Sequence, residues 1–137
     1  MPRFSLLRHD HPTEHWDFFL ECGDALRSWR LASRPALGED IAAEPRPDHR
    51  KAYLDYEGPV SNGRGRVVQE DAGEFDWKEV SITAVTVSLR GQWLTGDVCL
   101  RQTSAGWRFS WTAHGLPASL PATAATDSVD RPSSTNS

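Results

Sequence analysis

Three of the five histidines in this 137-residue chain fall in one short stretch, Arg8 to Glu21 (RHDHPTEHWDFFLE), among several carboxylates. Its second half reads as a strand, in which successive side chains point to opposite faces. Trp16, Phe18 and Leu20 then share one face, and His15, Asp17, Phe19 and Glu21 share the other. The first face suits a core and the second suits chemistry. His15 and Asp17 stand side by side, about 7 Å apart at the backbone, so an imidazole and a carboxylate can converge on one ion. His9 supplies a third ligand if the chain doubles back at His11-Pro12. Nitrogen and oxygen donors without a thiolate suit manganese, iron or zinc better than a soft metal. The same spacing also lets His15 and Asp17 hydrogen-bond each other at a barrel rim and bind nothing.

The elements that must position these groups are short strands. Phe4 to Leu7 forms a first strand, and the Cys22-Gly23-Asp24 break is a hairpin turn into Ala25 to Leu31, which pairs with the histidine strand. Ala32 to Pro47, with Pro35, Pro45 and Pro47, reads as a long loop of the kind that is functional or mobile. Tyr53, Asp55 and Glu57 alternate with Leu54 and Tyr56 as a further strand, ended by Gly58-Pro59. The run Ser61 to Gly65 is a turn, either a plain glycine-rich bend or one whose backbone N–H groups hold an anion. Arg66 to Glu70, Phe75 to Val80, Ile82 to Leu89, Trp93 to Leu100 and Trp107 to Thr112 complete the series. No helix-period stretch of useful length appears. The expected class is all-β, a small closed antiparallel barrel of about eight strands, on the argument that inward-pointing polar residues need an interior or a mouth. Residues 1–115 would form this domain. Residues 116–137, rich in Pro, Ala, Ser and Thr and without an aromatic side chain, would be a disordered tail.

Composition narrows the function classes. The length suits one domain with one core, and six tryptophans supply large surfaces to bury. No apolar run approaches the roughly 20 residues that span a bilayer, and the N-terminus lacks a signal-peptide pattern, so no membrane partner and a cytoplasmic location are expected. Cys22 and Cys99 are isolated thiols, expected to be reduced and inert. The net charge of −4 disfavours broad nucleic-acid binding. Phosphate contacts must therefore be local, from Arg46, Arg50 and Lys51 around His49, from Arg64 and Arg66, or from Arg27, Arg30 and Arg34. His114 is expected to be an ordinary surface histidine.

Taken in order, several segments resemble one family. His9-Asp10, His15-Trp16-Asp17 with Leu20-Glu21, Leu26-Arg27-Ser28-Trp29, Asp48-His49 and Tyr53-Leu54-Asp55-Tyr56-Glu57-Gly58 are similar to the motifs of the 3′-phosphoesterase domain of bacterial DNA ligase D. The later segments LRGQWLTGDVCLRQ and GWRFSW resemble that family's closing strands, so the likeness runs roughly from Pro2 to Trp111. The resemblance implies a compact barrel and a manganese-dependent activity, with another divalent transition metal as the alternative, that trims 3′ ends in DNA repair. It removes a terminal ribonucleoside and then a 3′-phosphate. His9, His15 and Asp17 would be the metal ligands, and His49 and Tyr53 would lie at the scissile phosphate. The implied partners are 3′ ends of primer–template DNA and, on the expectation that this domain stands alone, a separate ligase or polymerase.

Three departures bear on activity. The arginine that the family carries two residues after the aspartate is Phe19 here. The lysine after the Ser-Trp strand falls on Ser33, with Arg34 beside it as candidate substitute. The family's tyrosine-containing glycine turn is reduced to Asn62-Gly63-Arg64-Gly65-Arg66, in which Arg64 and Arg66 are the candidate phosphate-binding residues. Losing an electrostatic contact to a transferring phosphoryl group lowers rates by orders of magnitude, so metal binding is a firmer expectation than turnover. Beside the phosphoesterase stands a catalytically weakened metal- or nucleic-acid-binding accessory module of the same fold. A non-haem iron oxygenase also uses two histidines and a carboxylate, but this chain is short for one and has no matching late histidine and arginine.

Overall fold

A computed structural model describes residues 1–114 as nine strands, all paired antiparallel. They are β1 (Arg3–His9), β2 (His15–Cys22), β3 (Ala25–Leu31), β4 (Asp40–Arg50), β5 (Gly58–Pro59), β6 (Arg66–Val80), β7 (Ala84–Arg90), β8 (Thr95–Thr103) and β9 (Gly106–Thr112). Pairing runs β1-β2-β3-β4-β9-β8-β7-β6, and β6 returns to β1, so eight strands close a ring with β5 attached to β6. The all-β, barrel-like architecture matches the expectation. The tail expected at 116–137 lies outside the described residues.

Period-two alternation explains the ring. All eight ring strands turn apolar side chains into one cluster, among them Phe4 and Leu6 of β1, Phe18 and Leu20 of β2, Val87 of β7, Leu100 of β8 and Phe109 of β9. Burying large aromatic and aliphatic side chains here stabilises the ring by roughly 1.5–3 kcal/mol per residue before ordering costs. The other face of β1, β2 and β3 looks outward, and it too carries apolar groups. Leu7, Phe19 and Leu26 form a second cluster with Leu54 and Val67. These outward side chains need a cover, which the excursion between β4 and β6 provides. The candidate ligands share this outer face, so the expectation that the polar residues would point into the barrel is corrected: the interior is filled with apolar side chains.

Two sequence-based assignments also change. The expected loop Ala32 to Pro47 is loop only as far as Glu39, after which β4 runs from Asp40 to Arg50. Asp40 to Ala43 pair with β9 and Ala43 to Arg50 with β3, and Ile41 and Ala43 are buried; beyond Ala43 the pairing with β9 stops and one edge is open. Proline lacks an N–H to give a sheet and is tolerated at such edges and at bulges. Pro45 lies in the open-edged half, and Pro47 in a register shift between the pairs Ser28–Arg46 and Leu26–His49. The expected strand at Tyr53–Glu57 is instead a single 3-10 turn, Lys51–Asp55, whose one buried residue is Leu54. One apolar side chain can plug the outer cluster from a turn, whereas a strand needs a paired neighbour.

The strands expected at Arg66–Glu70 and Phe75–Val80 are a single strand, β6, with a register shift opposite Leu6 and Leu7. The bulge leaves Glu70 without a partner residue and reverses the alternation. Val67 consequently packs in the outer cluster while Phe75, an even number of residues away, packs inside. Cys22 is exposed and Cys99 half-buried, both free, and burial pushes the Cys99 thiol up, away from the reactive thiolate. No helix among the described residues is long and apolar enough to cross a membrane.

Candidate metal centre

The hairpin of β1 and β2 brings the three candidate ligands together. Residues 11–14 reverse the chain, and His9 and His15 become direct cross-strand partners. Their rings stand edge to face with centroids 5.0 Å apart. Asp17 follows on the same face of β2, its Oδ2 3.5 Å from His15 Nε2. One ligand atom from each of His9, His15 and Asp17 lies within 4.8 Å of the others. The chain thus doubles back where the His-Pro step anticipates it.

Hydrogen bonds behind the histidines set which nitrogens face the centre. His15 Nδ1 is 2.9 Å from the Thr13 carbonyl and donates to it, so the lone pair is on Nε2. That Nε2 is buried and has no hydrogen-bond partner. His9 Nε2 donates to the Arg64 carbonyl at 2.7 Å, which leaves Nδ1 as the nitrogen free to bind an ion. Ligating histidines commonly donate their other N–H to a carbonyl in this way, which fixes tautomer and ring orientation. An orphaned buried imidazole nitrogen beside a second imidazole and a carboxylate fits a divalent transition metal with mixed nitrogen and oxygen preference.

The loop that receives His9 is held close by Gly65. Its φ of +80° suits glycine, and a side chain there would overlap the Asp10 carboxylate and the His11 side chain. The Asp10 carboxylate accepts the Arg66 N–H at 2.8 Å, a bond that holds its pKa below the usual carboxylate range.

A cleft of about 820 Å³ opens beside the ligands, lined by His9, Asp17, Phe19, Arg30, His49, Tyr53 and Arg64 among others. His49 reaches it because the β4 register shift supplies one extra residue, so that His49 opposes Leu26, which packs in the outer cluster. His49 Nδ1 donates to the Pro47 carbonyl at 3.0 Å, leaving Nε2 with its lone pair. Its ring packs on Phe19, centroids 5.0 Å apart, and against Tyr53 at 5.7 Å. Four arginines (Arg30, Arg46, Arg50 and Arg64) and two aspartates (Asp17 and Asp48) line the cleft, so it is locally cationic in an acidic chain.

The expected site residues therefore divide. His9, Asp17, His49, Tyr53 and Arg64 line this cleft, with His15 at the ligand cluster. Arg34 is directed to Glu70 at 3.2 Å and stacks on Trp93, and Arg66 is exposed with its backbone bonded to Asp10; neither lines the cleft. Arg30, which the sequence marks only as one of several local cations, also lines the cleft. The two-residue turn at Gly23-Asp24 pairs Cys22 with Ala25, and counting back along the hairpin sets Arg30 opposite Asp17. That count is available from the sequence once the hairpin is recognised.

The turn bearing Tyr53 is clamped to β1 through Arg3, whose guanidinium donates to both Asp55 oxygens at 2.8 and 3.0 Å. This fork, with help from Gln69, holds the Asp55 carboxyl below its ordinary value. A depressed carboxylate contributes stability that is full above its unfolded pKa of about 3.9 and lost as pH falls through the folded value. The pair is 40% and 60% exposed, so salt screens it and its worth is under about 1 kcal/mol. NMR titration is expected to show Tyr53 and Leu54 signals shifting below about pH 4, and at higher pH in Arg3→Ala. Signals that stay fixed in both proteins down to pH 2, about two units lower, would contradict the clamp.

The DNA Ligase D 3′-phosphoesterase domain family matches residues 7–102 of the chain. One curated relative is the multifunctional non-homologous end joining DNA repair protein LigD of Mycobacterium tuberculosis, 28% identical over 122 residues, 82% of this chain and 16% of that protein. Another is the multifunctional non-homologous end joining protein LigD of Pseudomonas aeruginosa, 32% identical over 78 residues, 53% of this chain and 9% of that protein. The chain spans less than a fifth of either relative.

Proposed function

The chain belongs to the DNA ligase D 3′-phosphoesterase domain family, and from this premise we propose that its cleft is a manganese-dependent phosphoesterase centre for nucleic-acid 3′ ends. The reaction removes a terminal ribonucleoside, which leaves a 3′-phosphate, and then hydrolyses that phosphate to leave a 3′-hydroxyl, in DNA end joining. The observation that carries this reading is the buried, unpartnered His15 Nε2 facing His9 and Asp17 at the edge of a cationic cleft.

His9, His15 and Asp17 would hold the ion. When bound, it would neutralise charge on a phosphoryl oxygen and help generate a nucleophile from water. His49, anchored through Nδ1 to Pro47, is oriented to hold or deliver a proton at Nε2. Tyr53, 37% exposed and packed edge-on against His49, offers its hydroxyl to a phosphate oxygen. The cationic lining attracts a phosphate locally, while the acidic balance of the chain disfavours a long duplex track.

The test is hydrolysis of a primer–template carrying a 3′-phosphate or a single 3′-ribonucleotide, with manganese added. Release of phosphate or nucleoside is expected from wild type, with none detectable from His15→Ala. Wild type that releases neither product would overturn the proposal. Phe19 favours a second reading, a metal-binding accessory module: it is 2% exposed and packs under His49, so this face of β2 brings no cation next to Asp17. Manganese bound through His15 without any turnover would support that reading.

A further inference from the structure

We infer that Arg30 grips the terminal phosphate of the nucleic-acid 3′ end, from β3, directly across from the metal-ligating Asp17. The inference rests on the cleft being a 3′-end site. Arg30 and Asp17 are register partners, with Arg30 Nε 3.9 Å from Asp17 Oδ1. That separation is an ion pair too long for a hydrogen bond. Arg30 Nε is buried and donates to no group, and it is the one arginine nitrogen in that condition among the described residues.

The other arginines of the cleft have different engagements. Arg46 pairs with Glu44 at 3.5 Å, Arg64 folds back on Ser61, and Arg50 lies over the Tyr53 ring. A buried N–H without an acceptor carries a desolvation penalty, which an anionic oxygen entering beside Asp17 would relieve. Arg30 retains a third of its side-chain exposure, so the rest of its planar fork remains open to a ligand. Such a fork matches two oxygens of a phosphate at once.

A guanidinium beside a metal-ligating carboxylate also competes with the ion for that carboxylate. Its position is unfavourable for a site that only holds a cation and favourable for one that holds a cation and an anion together. Phe19, the next residue after Asp17 on the same face of β2, is buried under His49 and brings no charge. The cation at this point of the cleft comes from the neighbouring strand.

The experiment compares Arg30→Gln and Arg30→Lys with wild type. Fluorescence anisotropy measures binding of a 3′-phosphorylated oligonucleotide and of its 3′-hydroxyl counterpart without added metal, and calorimetry measures manganese affinity. Arg30→Gln is expected to lose about 10- to 100-fold in affinity for the phosphorylated end, approaching the 3′-hydroxyl value, with manganese affinity not weakened. Arg30→Lys, which keeps the charge and removes the fork, should fall between the two and serves as the conservative variant for folding. An unchanged preference for the 3′-phosphate in both variants would overturn the inference. So would a manganese affinity that falls as far as the phosphate affinity, because Arg30 would then act only as a support for Asp17. Wild type that prefers the 3′-phosphate through Arg30 but releases nothing from it with manganese would overturn the phosphoesterase reading alone.

Discussion

Alanine at His15 is expected to abolish manganese binding while leaving the ring intact. His15 turns its Nε2 towards Asp17 and His9, and its Nδ1 is already committed to Thr13. Removing a hydrogen-bond partner behind a ligand typically costs about 10- to 100-fold in metal affinity; removing the ligand itself should exceed the upper end of that range. The interior face of β2 is built from Trp16, Phe18 and Leu20, which the substitution does not touch. Calorimetry would report the lost affinity. Thermal unfolding gives a second readout, because an ion that binds only the folded state stabilises it by about 2.7 kcal/mol at 100 times its Kd. For a domain of this size that corresponds to a rise of roughly 10 °C in Tm for wild type and none for His15→Ala. His49→Ala, by contrast, should retain manganese and lose turnover. Equal manganese affinity in wild type and His15→Ala would show that the cluster is only an imidazole–carboxylate contact.

The largest loss of stability is expected at Asp71, which does not line the cleft. This carboxylate is 4% exposed and accepts four backbone N–H groups: Ala72 and Gln92 on Oδ1, Trp93 and Leu94 on Oδ2, at 2.7 to 3.0 Å. It ties β6 to the turn between β7 and β8. A Cβ at Gly91 would come 2.8 Å from the Leu94 carbonyl and the same distance from the Phe4 ring, so this turn packs tightly. Asp71→Ala leaves four donors without their acceptor, each costing about 1–3 kcal/mol if buried and unmet. Relaxation and water recover part of that, and the expected net loss is about 3–5 kcal/mol, as for breaking other buried charged networks. Against a typical total of about 5–15 kcal/mol, urea unfolding should show a large drop in midpoint. Asp71→Asn keeps one acceptor oxygen and should lose about half as much. A loss below about 1 kcal/mol in the alanine variant would mean that water satisfies the turn.

Alternation along the chain was enough to identify β2, β3 and β7, because a strand with two different faces imprints a period of two on its side chains. It also put His15 and Asp17 on one face, and the reversal after His9 brought the third candidate ligand opposite His15. Local composition misled where pairing decides the outcome. Pro45 and Pro47 mark β4 as a loop unless one knows that its second half has an open edge. The alternation at Tyr53 to Glu57 suggests a strand although the chain forms a turn plugged by Leu54. Register shifts at Glu70 and near Pro47 depend on the partner strand, and a shift of one residue reverses the face of all that follows. The face carrying His49 and the continuity of β6 were therefore decided by tertiary pairing. So was the side of the sheet that became the interior, since this depends on ring closure by β1–β6 and β4–β9, contacts between residues far apart in the chain. Local periodicity separates two faces of a strand; long-range pairing alone determines which one encloses the core and which one carries the cleft.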